Sequence, residues 1–450
     1  MQRRSIADIG ISKVITGAVI AALALGAIVF YLFYTGRFGG GSRLRLTATT
    51  HVGHDWSDIA ADNNIVSDYL FGRSKNLLVA KGGDGILAST TYTIAGRLVT
   101  QEAEDSGIYE LTDQALLLKC YVRSGDRANA VSLKNEVINR FRLADGAYKT
   151  FVYAEEEKNN EEIITVAASV EWLDAMMEYY VTYGNNDDYK EICHLAGILF
   201  DSEGRLIPEQ ISVAKYAESL YVSLEDISDI DATQEGSLEQ MYGTLTGDTE
   251  GADTKIDELE EEVEGVLLSN INLRLIRDLE NNSILPEGSY DRALMAVKGG
   301  FAGEGYAFYA YAAIGNMDSG DYIYSGQSTG AFDIVHNVRT MRNLSEVGEL
   351  DSESFAEFKS MVMNNGRIYT SYVIMTGNYS GREALNAYAD GLLLAYFMGD
   401  TDLYDRLCDT LGKRVATKST SPALYMIFRE ENDRYVFYSR ENLSTRLVTS

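Results

Sequence analysis

YVRSGDRANA, residues 121–130, has the pattern of a helix end, a tight turn and the start of a second helix. Related stretches are YVTYGNNDDY (180–189), YAAIGNMDSG (311–320) and YFMGDTDLY (396–404). In each, an apolar, aromatic-containing segment is followed by a glycine, which can take the left-handed conformation that ends a helix. The Asp or Asn after that glycine can cap the next helix by accepting its free N–H groups. The sequence therefore predicts four helix–turn–helix corners.

A second short pattern alternates with these corners. It consists of an acid or amide, a glycine, any residue and an apolar residue, and it occurs at 84–87, 145–148, 203–206, 287–290 and 365–368. This order suits a loop that re-enters the core as a short extended piece. Corners and re-entrant loops therefore alternate along the chain.

The segments between these patterns are apolar over more than one helical face, as in TDQALLLKCYVRSG and ASVEWLDAMMEYYVTYG. Such helices are buried between neighbours. Paired helices that repeat about every 60 residues predict an all-α protein, an (α/α)6 toroid of helical hairpins. An open solenoid of the tetratricopeptide kind is the alternative, but its repeat is near 34 residues.

The N-terminal region has the composition of a membrane anchor. Residues 14–34 carry no charged side chain and are about long enough to cross a bilayer. We expect a cytoplasmic tail at 1–13, a transmembrane helix at 14–34, a linker at 35–50 and the toroid at 51–450. The short basic tail favours a single-pass protein of the cell membrane with an extracytoplasmic C-terminal domain.

Charge and cysteine content exclude several classes of partner and site. The formal net charge of −28 disfavours binding to nucleic acid or anionic lipid. An acid-rich stretch at about 225–264 is expected to be a solvated insertion, with a helix following at 254–281. The three cysteines lack zinc-site spacing. His51, His54 and Asp55 lie together without a third histidine, so we expect no metal and no cofactor.

By analogy with other helical toroids, which commonly process sugar chains, a site is expected at the end of the ring where the inner helices begin. Glycosidic cleavage needs two carboxyl groups beside the scissile bond, so acids at the starts of the inner helices are the candidate catalytic groups. The first group is Glu104 and Asp105, before a helix expected to begin near Ser106. Glu304, at the start of a helix expected in 300–313, is the second candidate. Asp390 is the third, with Arg382 shortly before it. Helix capping is the alternative role for each acid.

The stretch EDSGIY (104–109) resembles the motif Ser-Glu-Gly-x-x-Tyr-Gly-Met of family 8 glycoside hydrolases, which are (α/α)6 toroids. The resemblance implies that Asp105 stands where the family has its proton donor, with Glu104 as the alternative after a one-residue slip. Tyr109 matches the motif tyrosine.

A second part of the resemblance lies at AASVEWLDAMMEYY (167–180), which is similar to the later Asp-x-Asp-x-Asp helix of the family through Glu171 and Asp174. Sugar-binding clefts also use aromatic platforms, for which Trp172 is a candidate. The expected substrate-binding residues are thus Tyr109, Glu171, Trp172 and Arg382.

These observations predict a membrane-anchored glycoside hydrolase-like protein that acts on a surface or exported polysaccharide. Asp105 or Glu104 would be the acid, and Glu304 or Asp390 the partner carboxylate. A catalytically inactive toroid that binds glycan, or that scaffolds polysaccharide-export proteins, is the main alternative. A third is an anchored interaction protein whose acidic insertion contacts a basic partner.

Overall fold

The computed structural model describes residues 86–95, 104–155, 162–214, 260–303, 305–315, 322–326, 330–374, 376–413, 427–429 and 434–449. The predicted cytoplasmic tail, the anchor, the linker, the His51–Asp55 cluster and residues 225–259 of the acidic stretch lie outside these ranges. Within them, no helix combines the length and apolar character needed to span a bilayer.

The described residues form eleven α-helices, which alternate between an inner and an outer layer. The inner helices are α1 (Leu111–Arg123), α3 (Val166–Tyr183), α5 (Leu273–Asn281), α7 (Ile334–Glu346), α9 (Tyr388–Met398) and α11 (Ser439–Thr449). The outer helices are α2 (Arg127–Phe141), α4 (Asn186–Leu199), α6 (Ser289–Gly299), α8 (Ser352–Asn365) and α10 (Thr401–Gly412).

The inner helices form a closed ring. Helix α1 packs against α3, α7 packs against α5 and α9, and α11 packs against both α9 and α1. The remaining step, from α3 to α5, is made by the ion pair between Asp174 and Arg274. The core between the two layers is large and aromatic: Phe141, Tyr148, Trp172 and Tyr388 are fully buried. The toroid predicted from the repeat is therefore confirmed, and the open solenoid is excluded because the last inner helix meets the first.

Three of the four predicted corners join helices as expected. Gly125 and Gly399 have left-handed φ angles of 74° and 69°. The residues after them, Asp126 and Asp400, accept hydrogen bonds from backbone N–H groups in the first turns of α2 and α10. Asn185 forms a capping box at the start of α4. The glycine of this corner, Gly184, has a φ of −66°, so the prediction of a left-handed stop was wrong there. Helix pairing thus follows directly from the Gly-Asp and Gly-Asn steps.

The fourth predicted corner, at 311–320, was wrong. Residues Ala312–Ile314 form a strand, and it is paired on both sides. The Tyr-Ala-Ala-Ile segment is short and apolar, so its pattern alone cannot distinguish a buried strand from a helix.

The re-entrant loops are confirmed at three described positions. Tyr148, Leu206 and Ile368 are buried, each two residues after a left-handed glycine. At 287–290 the prediction was wrong, because Gly288 instead precedes α6, which begins at Ser289.

Short strands complete the fold, so it is mostly but not purely α-helical. They are β1 (Thr91–Ala95), β2 (Glu104–Asp105), β3 (Ile108–Glu110), β4 (Phe151–Tyr153), β5 (Glu209–Ala214), β6 (Glu260–Leu267), β7 (Phe301–Gly303), β8 (Tyr306–Tyr309), β9 (Ala312–Ile314), β10 (Ile323–Ser325), β11 (Ala331–Asp333), β12 (Tyr369–Val373), β13 (Asn378–Glu383), β14 (Ile427–Arg429) and β15 (Arg434–Tyr438). The sheet orders are β14-β15-β1-β2, β10-β9-β6-β5, β11-β12-β13, β3-β4 and β7-β8.

Two predicted helices were wrong because these strands replace them. Residues 254–281 were expected to be one helix, but Glu260–Leu267 is a strand and only Leu273–Asn281 is α-helical. Residues 300–313 contain β7, β8 and part of β9 rather than a helix. In both segments cross-strand pairing outweighs the helical propensity of the sequence.

Candidate functional site

The inner helices begin at one end of the ring, because an outer helix returns the chain after each of the first five, and α11 begins beside strand β1, near the start of the toroid. We call this end the mouth. Backbone N–H groups of the first helical turns point towards it and favour negatively charged groups there.

The first predicted acid pair precedes α1, the first inner helix, in the sequence. Glu104 and Asp105 form strand β2, in which they pair with Thr93 and Tyr92 of β1. Helix α1 begins at Leu111 rather than near Ser106. The catalytic roles of Glu104 and Asp105 stay predictions.

Tyr109 lies in strand β3 and not inside the helix. It is buried, and the guanidinium of Arg140 lies 5.2 Å from the centre of its ring. Glu304 lies outside the described residues. Arg382 is exposed on strand β13. Trp172 has no exposed surface in the present structure, so its ring offers no platform for a sugar.

Glu171 and Asp174 point into a buried ion-pair network on the ring axis. Lys119 Nζ lies 2.6 Å from Asp174 Oδ2 and 3.5 Å from Glu171 Oε2. Glu171 also pairs with Arg339, and Asp174 pairs with Arg274. Helices α1, α3, α5 and α7 therefore meet through charged side chains at the centre of the ring.

The network continues to a fifth inner helix. Arg274 Nε lies 3.0 Å from Glu346 Oε1, and Arg274 Nη1 lies 2.9 Å from Asp278 Oδ2. Arg342 Nη1 lies 3.3 Å from Glu346 Oε2, and Arg342 Nε lies 3.2 Å from Asp390 Oδ1. Asp390, a predicted catalytic partner in the first turn of α9, is therefore held by Arg342 of α7.

Electrostatics keeps this network ionised. Burial alone would raise the pKa of Asp174, but the charges of Arg274 and Lys119 hold it well below its usual range. Burial lowers the pKa of Arg274, and the charges of Asp174, Glu346 and Asp278 more than reverse that effect. A carboxyl group held as a carboxylate in this way is unsuited to donate a proton.

The mouth itself carries acids that the sequence analysis did not select. Glu110 is the residue before α1, and its half-buried side chain makes no capping hydrogen bond to that helix. Asp113, in the first turn, is 1% exposed. Burial, together with the negative charges of Glu110 and Glu441, raises the pKa of Asp113 well above its usual value.

A chain of hydrogen bonds runs along the rim from α1 to α3. The Thr150 carbonyl accepts the N–H of Leu111 at 2.8 Å. The Thr150 hydroxyl oxygen accepts the N–H of Thr165 at 2.8 Å and lies 3.0 Å from the Thr165 hydroxyl. Thr165 in turn caps α3. The starts of the first two inner helices are therefore tied together.

Glu209 extends this rim towards α5. Its Oε2 accepts the N–H of Val166 at 3.0 Å, and its Oε1 accepts the Asn270 amide at 3.1 Å. Burial raises the pKa of Glu209, and these two hydrogen bonds oppose the shift. Glu209 is thus a fixed carboxyl group between two inner helices.

Glu209 also lines an open pocket of about 360 Å³. The remaining lining residues are Thr165, Ala167, Gln210, Ile211, Ser212, Leu267 and Tyr311. Tyr311 contacts the ring of His336 edge-on at 4.7 Å, and His336 Nδ1 lies 2.7 Å from the Ser269 hydroxyl. Burial lowers the pKa of His336. The pocket lining therefore combines polar side chains with one aromatic ring, that of Tyr311.

Across the described ranges, no group of three or more His, Cys, Asp and Glu side chains is arranged to hold a metal ion. Cys120 and Cys408 are buried, Cys193 is half-buried, and none of the three forms a disulfide in the part of the chain that the structure describes.

The sequence did contain signals for the missed features. Glu110 and Asp113 are spaced as acids at the start and in the first turn of a helix, directly before an apolar run. Lys119, Glu171 and Asp174 lie inside helices that are apolar on more than one face, which requires buried, paired charges.

Similar folds occur among solved structures, two of which are named as an α-amylase and a glucanase. An α-amylase from Clostridium perfringens superposes with a TM-score of 0.59 at 13% identity, over 86% of this chain and 96% of that one. A β-1,3-1,4-glucanase from Paenibacillus sp. X4 gives a TM-score of 0.52 at 10% identity, over 91% and 97%. PssZ from Listeria monocytogenes gives 0.50 at 10% identity, over 90% and 97%.

At these identities the comparison establishes the fold alone, and for the fold it confirms the resemblance to the glycoside hydrolase toroid. No protein-family model matches the chain, and no curated protein matches it.

Proposed function

We propose that this protein is a glycoside hydrolase that binds a polysaccharide across the mouth of the ring, with Glu110 as the proton donor. The observation that carries the proposal is the position of Glu110. Its half-buried carboxyl group lies at the start of the first inner helix and does not cap that helix. A proton donor in a glycosidase needs such a partly desolvated position.

Glu209 is the partner carboxylate in this proposal. It opens into the 360 Å³ pocket and is fixed by hydrogen bonds from Val166 and Asn270. Thr150 and Thr165 connect the Glu110 sector of the rim to the Glu209 sector.

Spacing supports this pairing. Neighbouring packed helices lie about 8–10 Å apart. An inverting glycosidase separates its two carboxyl groups by about 6.5–9.5 Å, which leaves room for the attacking water. Carboxyl groups at the starts of adjacent inner helices are compatible with that requirement.

The proposed location follows from residues 14–34, which would anchor the chain in the cell membrane and leave the toroid outside the cytoplasm. A surface or exported polysaccharide is then the accessible substrate, and polysaccharide-export proteins are candidate partners. A protease-protection assay on intact cells tests the orientation: digestion of the toroid from outside is expected, and full protection would contradict it.

Glycan cleavage by the full-length chain in mild detergent tests the enzymatic proposal. Release of reducing ends would be measured over a panel of neutral, amino-sugar and uronic-acid polysaccharides. Glu110→Gln and Glu209→Gln should each lower the rate at least 100-fold, because general acid–base catalysis contributes about 10²–10⁴-fold. Glu353→Gln, at an exposed outer-helix position, is the matched control and should keep wild-type activity.

Asp105→Asn and Glu304→Gln belong in the same series. Loss of activity in these variants, with Glu110→Gln unaffected, would move the acid back to the residues first selected from the sequence. Hydrolysis that survives all four substitutions would refute a carboxyl-based site at the mouth.

One observation favours the non-catalytic alternative. Glu171 and Asp390 are neutralised by arginines, so the axis of the ring carries no isolated carboxylate at these two positions. A toroid that binds glycan without cleaving it would migrate more slowly in a gel that contains the polysaccharide, but it would release no reducing ends. That combination of results would replace the hydrolase proposal.

A further inference from the structure

The pocket beside Glu209 has an aliphatic wall, formed by Ile211 and Leu267. Both side chains belong to a small hydrophobic cluster on β5, β6 and β9 that is separate from the main core of the toroid. Ile211 is buried in this cluster, whereas Leu267 and Tyr311 pack against it and stay half-buried. Apolar surface therefore remains accessible inside the pocket.

The ring of Tyr311 is held in place before any ligand binds. Its backbone N–H donates to the carbonyl of Ser325 at 2.8 Å, and its carbonyl accepts the N–H of Leu268 at 3.1 Å. The edge-on contact with His336 restrains the ring itself. A ligand that packs on Tyr311 therefore loses little affinity to the ordering of this side chain.

The rest of the lining supplies hydrogen-bonding groups. Hydroxyl and amide side chains, which both donate and accept, come from Thr165, Gln210 and Ser212. Among the lining residues that the structure describes, Glu209 is the one with a charged side chain. A ligand that fits this pocket therefore carries an apolar group close to hydrogen-bonding groups, and an anionic substituent gains no ion pair from the lining.

We propose that the pocket is a subsite for an N-acetylated amino sugar. The acetamido methyl group contacts the aliphatic wall, and the sugar ring packs on Tyr311. The N–H and the carbonyl of the acetamido group bond to the polar side chains of the lining. This inference rests on the proposed function, because it takes a polysaccharide as the ligand of the mouth, and it adds the class of sugar.

Other classes of sugar match the lining less well. A uronic acid would bring its carboxylate beside Glu209 without a cation among the described lining residues. A neutral hexose would place hydroxyl groups against the aliphatic wall, where they find no hydrogen-bond partner. A free amino sugar would be attracted by Glu209 but would leave the aliphatic wall without an apolar partner. The acetamido group uses both kinds of lining.

Aliphatic surface also lies on the rim beside the pocket. Ile163 is 44% exposed and Ile164 is 46% exposed, and they directly precede Thr165 of the lining. The carbonyl of Ile163 accepts the N–H of Thr150 at 2.7 Å, which fixes this segment to the rim. Exposed apolar surface beside a pocket is typical of a binding site. A polymer with repeated N-acetyl groups would use both surfaces.

Saturation-transfer NMR of the full-length chain in mild detergent tests the subsite without any need for hydrolysis. The probes are the methyl glycosides of N-acetylglucosamine and N-acetylgalactosamine, beside those of glucosamine, glucose and galactose. The acetamido methyl protons should receive the strongest saturation, because they lie against the aliphatic wall. The N-acetylated probes should bind at least about 10-fold more tightly than the matched hexoses, the usual effect of one apolar group in a hydrophobic pocket.

Substitutions assign this preference to the pocket. Leu267→Asn should remove most of it, whereas Leu267→Met keeps an apolar side chain and should retain it. Tyr311→Ala should weaken binding of every probe about 10-fold, and Tyr311→Phe should not, because the aromatic ring makes the contact. Tyr183→Ala is the matched control, since this half-buried tyrosine lies at the end of α3 that is remote from the mouth.

Equal affinity for the N-acetylated probes and the matched hexoses would overturn the assignment, as would tighter binding of glucosamine or no binding of any N-acetylated probe. These wild-type results decide the question even if a variant fails to fold. A preference that Leu267→Asn leaves unchanged would place the acetamido group outside this pocket and would also overturn the assignment. The proposed function fails separately: N-acetylated sugars that bind, without release of reducing ends from any polysaccharide, would support the subsite and refute the hydrolase.

Discussion

Replacement of Asp174 by Asn should destabilise the protein strongly, because Asp174 is the anion that joins three helices at the ring axis. It pairs with Lys119 at 2.6 Å and with Arg274. Asn keeps the size of the side chain but removes its charge. Two buried cations would then lose a shared counter-ion, although Arg274 keeps its contacts with Glu346 and Asp278.

The expected loss is about 3–5 kcal/mol in the free energy of unfolding, the usual cost of removing one partner from a buried ion pair. The effect should depend on pH. The folded-state pKa of Asp174 lies below the value near 3.9 of an unfolded chain. Its contribution is therefore fully present at pH 7 and is lost as the pH falls through the folded-state pKa. The difference between wild type and Asp174→Asn should shrink in acid.

Urea unfolding followed by tryptophan fluorescence provides the assay, since Trp172 is fully buried in the same helix as Asp174. Asp187→Asn is a matched control: the Lys190–Asp187 pair is exposed, so its loss should not measurably change stability. A free energy of unfolding for Asp174→Asn within 0.5 kcal/mol of wild type, roughly the effect of a surface substitution, would refute the view that the axis network stabilises the ring.

Three further substitutions test local features. Asp400→Ala removes the cap of α10 and should cost about 0.5–2 kcal/mol in urea unfolding, whereas Asp351→Ala, at a cap position without a side-chain bond, should cost less; equal costs would contradict the capping role. Gly146→Ala should lower the melting temperature, because φ is 93° and a Cβ would collide with the imidazole of His194; an unchanged melting temperature would show that the loop can rearrange. Asp113→Asn should stabilise the protein at pH 8 but not at pH 4, because the raised folded-state pKa of Asp113 means that its ionisation opposes folding as the pH rises; equal stabilities of the variant and the wild type at pH 8 would argue against a raised pKa of Asp113 in the folded protein.

The helical frame was predictable because its signals are local. A glycine stop followed by Asp or Asn specifies a corner within a few residues, as at Gly125-Asp126 and Gly399-Asp400. The closed ring followed from the number and length of the repeats. Strand β6 was missed because its stability comes from partners distant in sequence: it pairs with β5 and β9, on either side of it in the sheet.

The candidate site was harder to predict for a related reason. The start of α1 depends on strand β3, whose Glu110 pairs with Phe151. Without that pairing, the sequence pattern predicts a helix start near Ser106, which makes Asp105 rather than Glu110 the acid at the start of the helix. The partners of Asp390 and Glu171 come from α7, so their ion pairs could not be read from neighbouring residues.

Closure of the ring by α11 has a consequence for biosynthesis. Strand β1 pairs with β15 from Thr91↔Tyr438 to Ala95↔Arg434, and the Ser439 hydroxyl donates to the carbonyl of Ser89. The first and last described segments of the toroid are thus direct neighbours. A nascent chain cannot complete its inner layer until the C-terminal segment has been translated.

Until that moment, the faces of α1 and α9 that later contact α11 are uncovered. If the toroid is exported as proposed, these faces would meet the translocation machinery and any extracytoplasmic chaperone before the final helix arrives. Contacts so distant in sequence also form slowly. Premature termination just before residue 434 should therefore produce an open, aggregation-prone chain rather than a slightly shortened toroid.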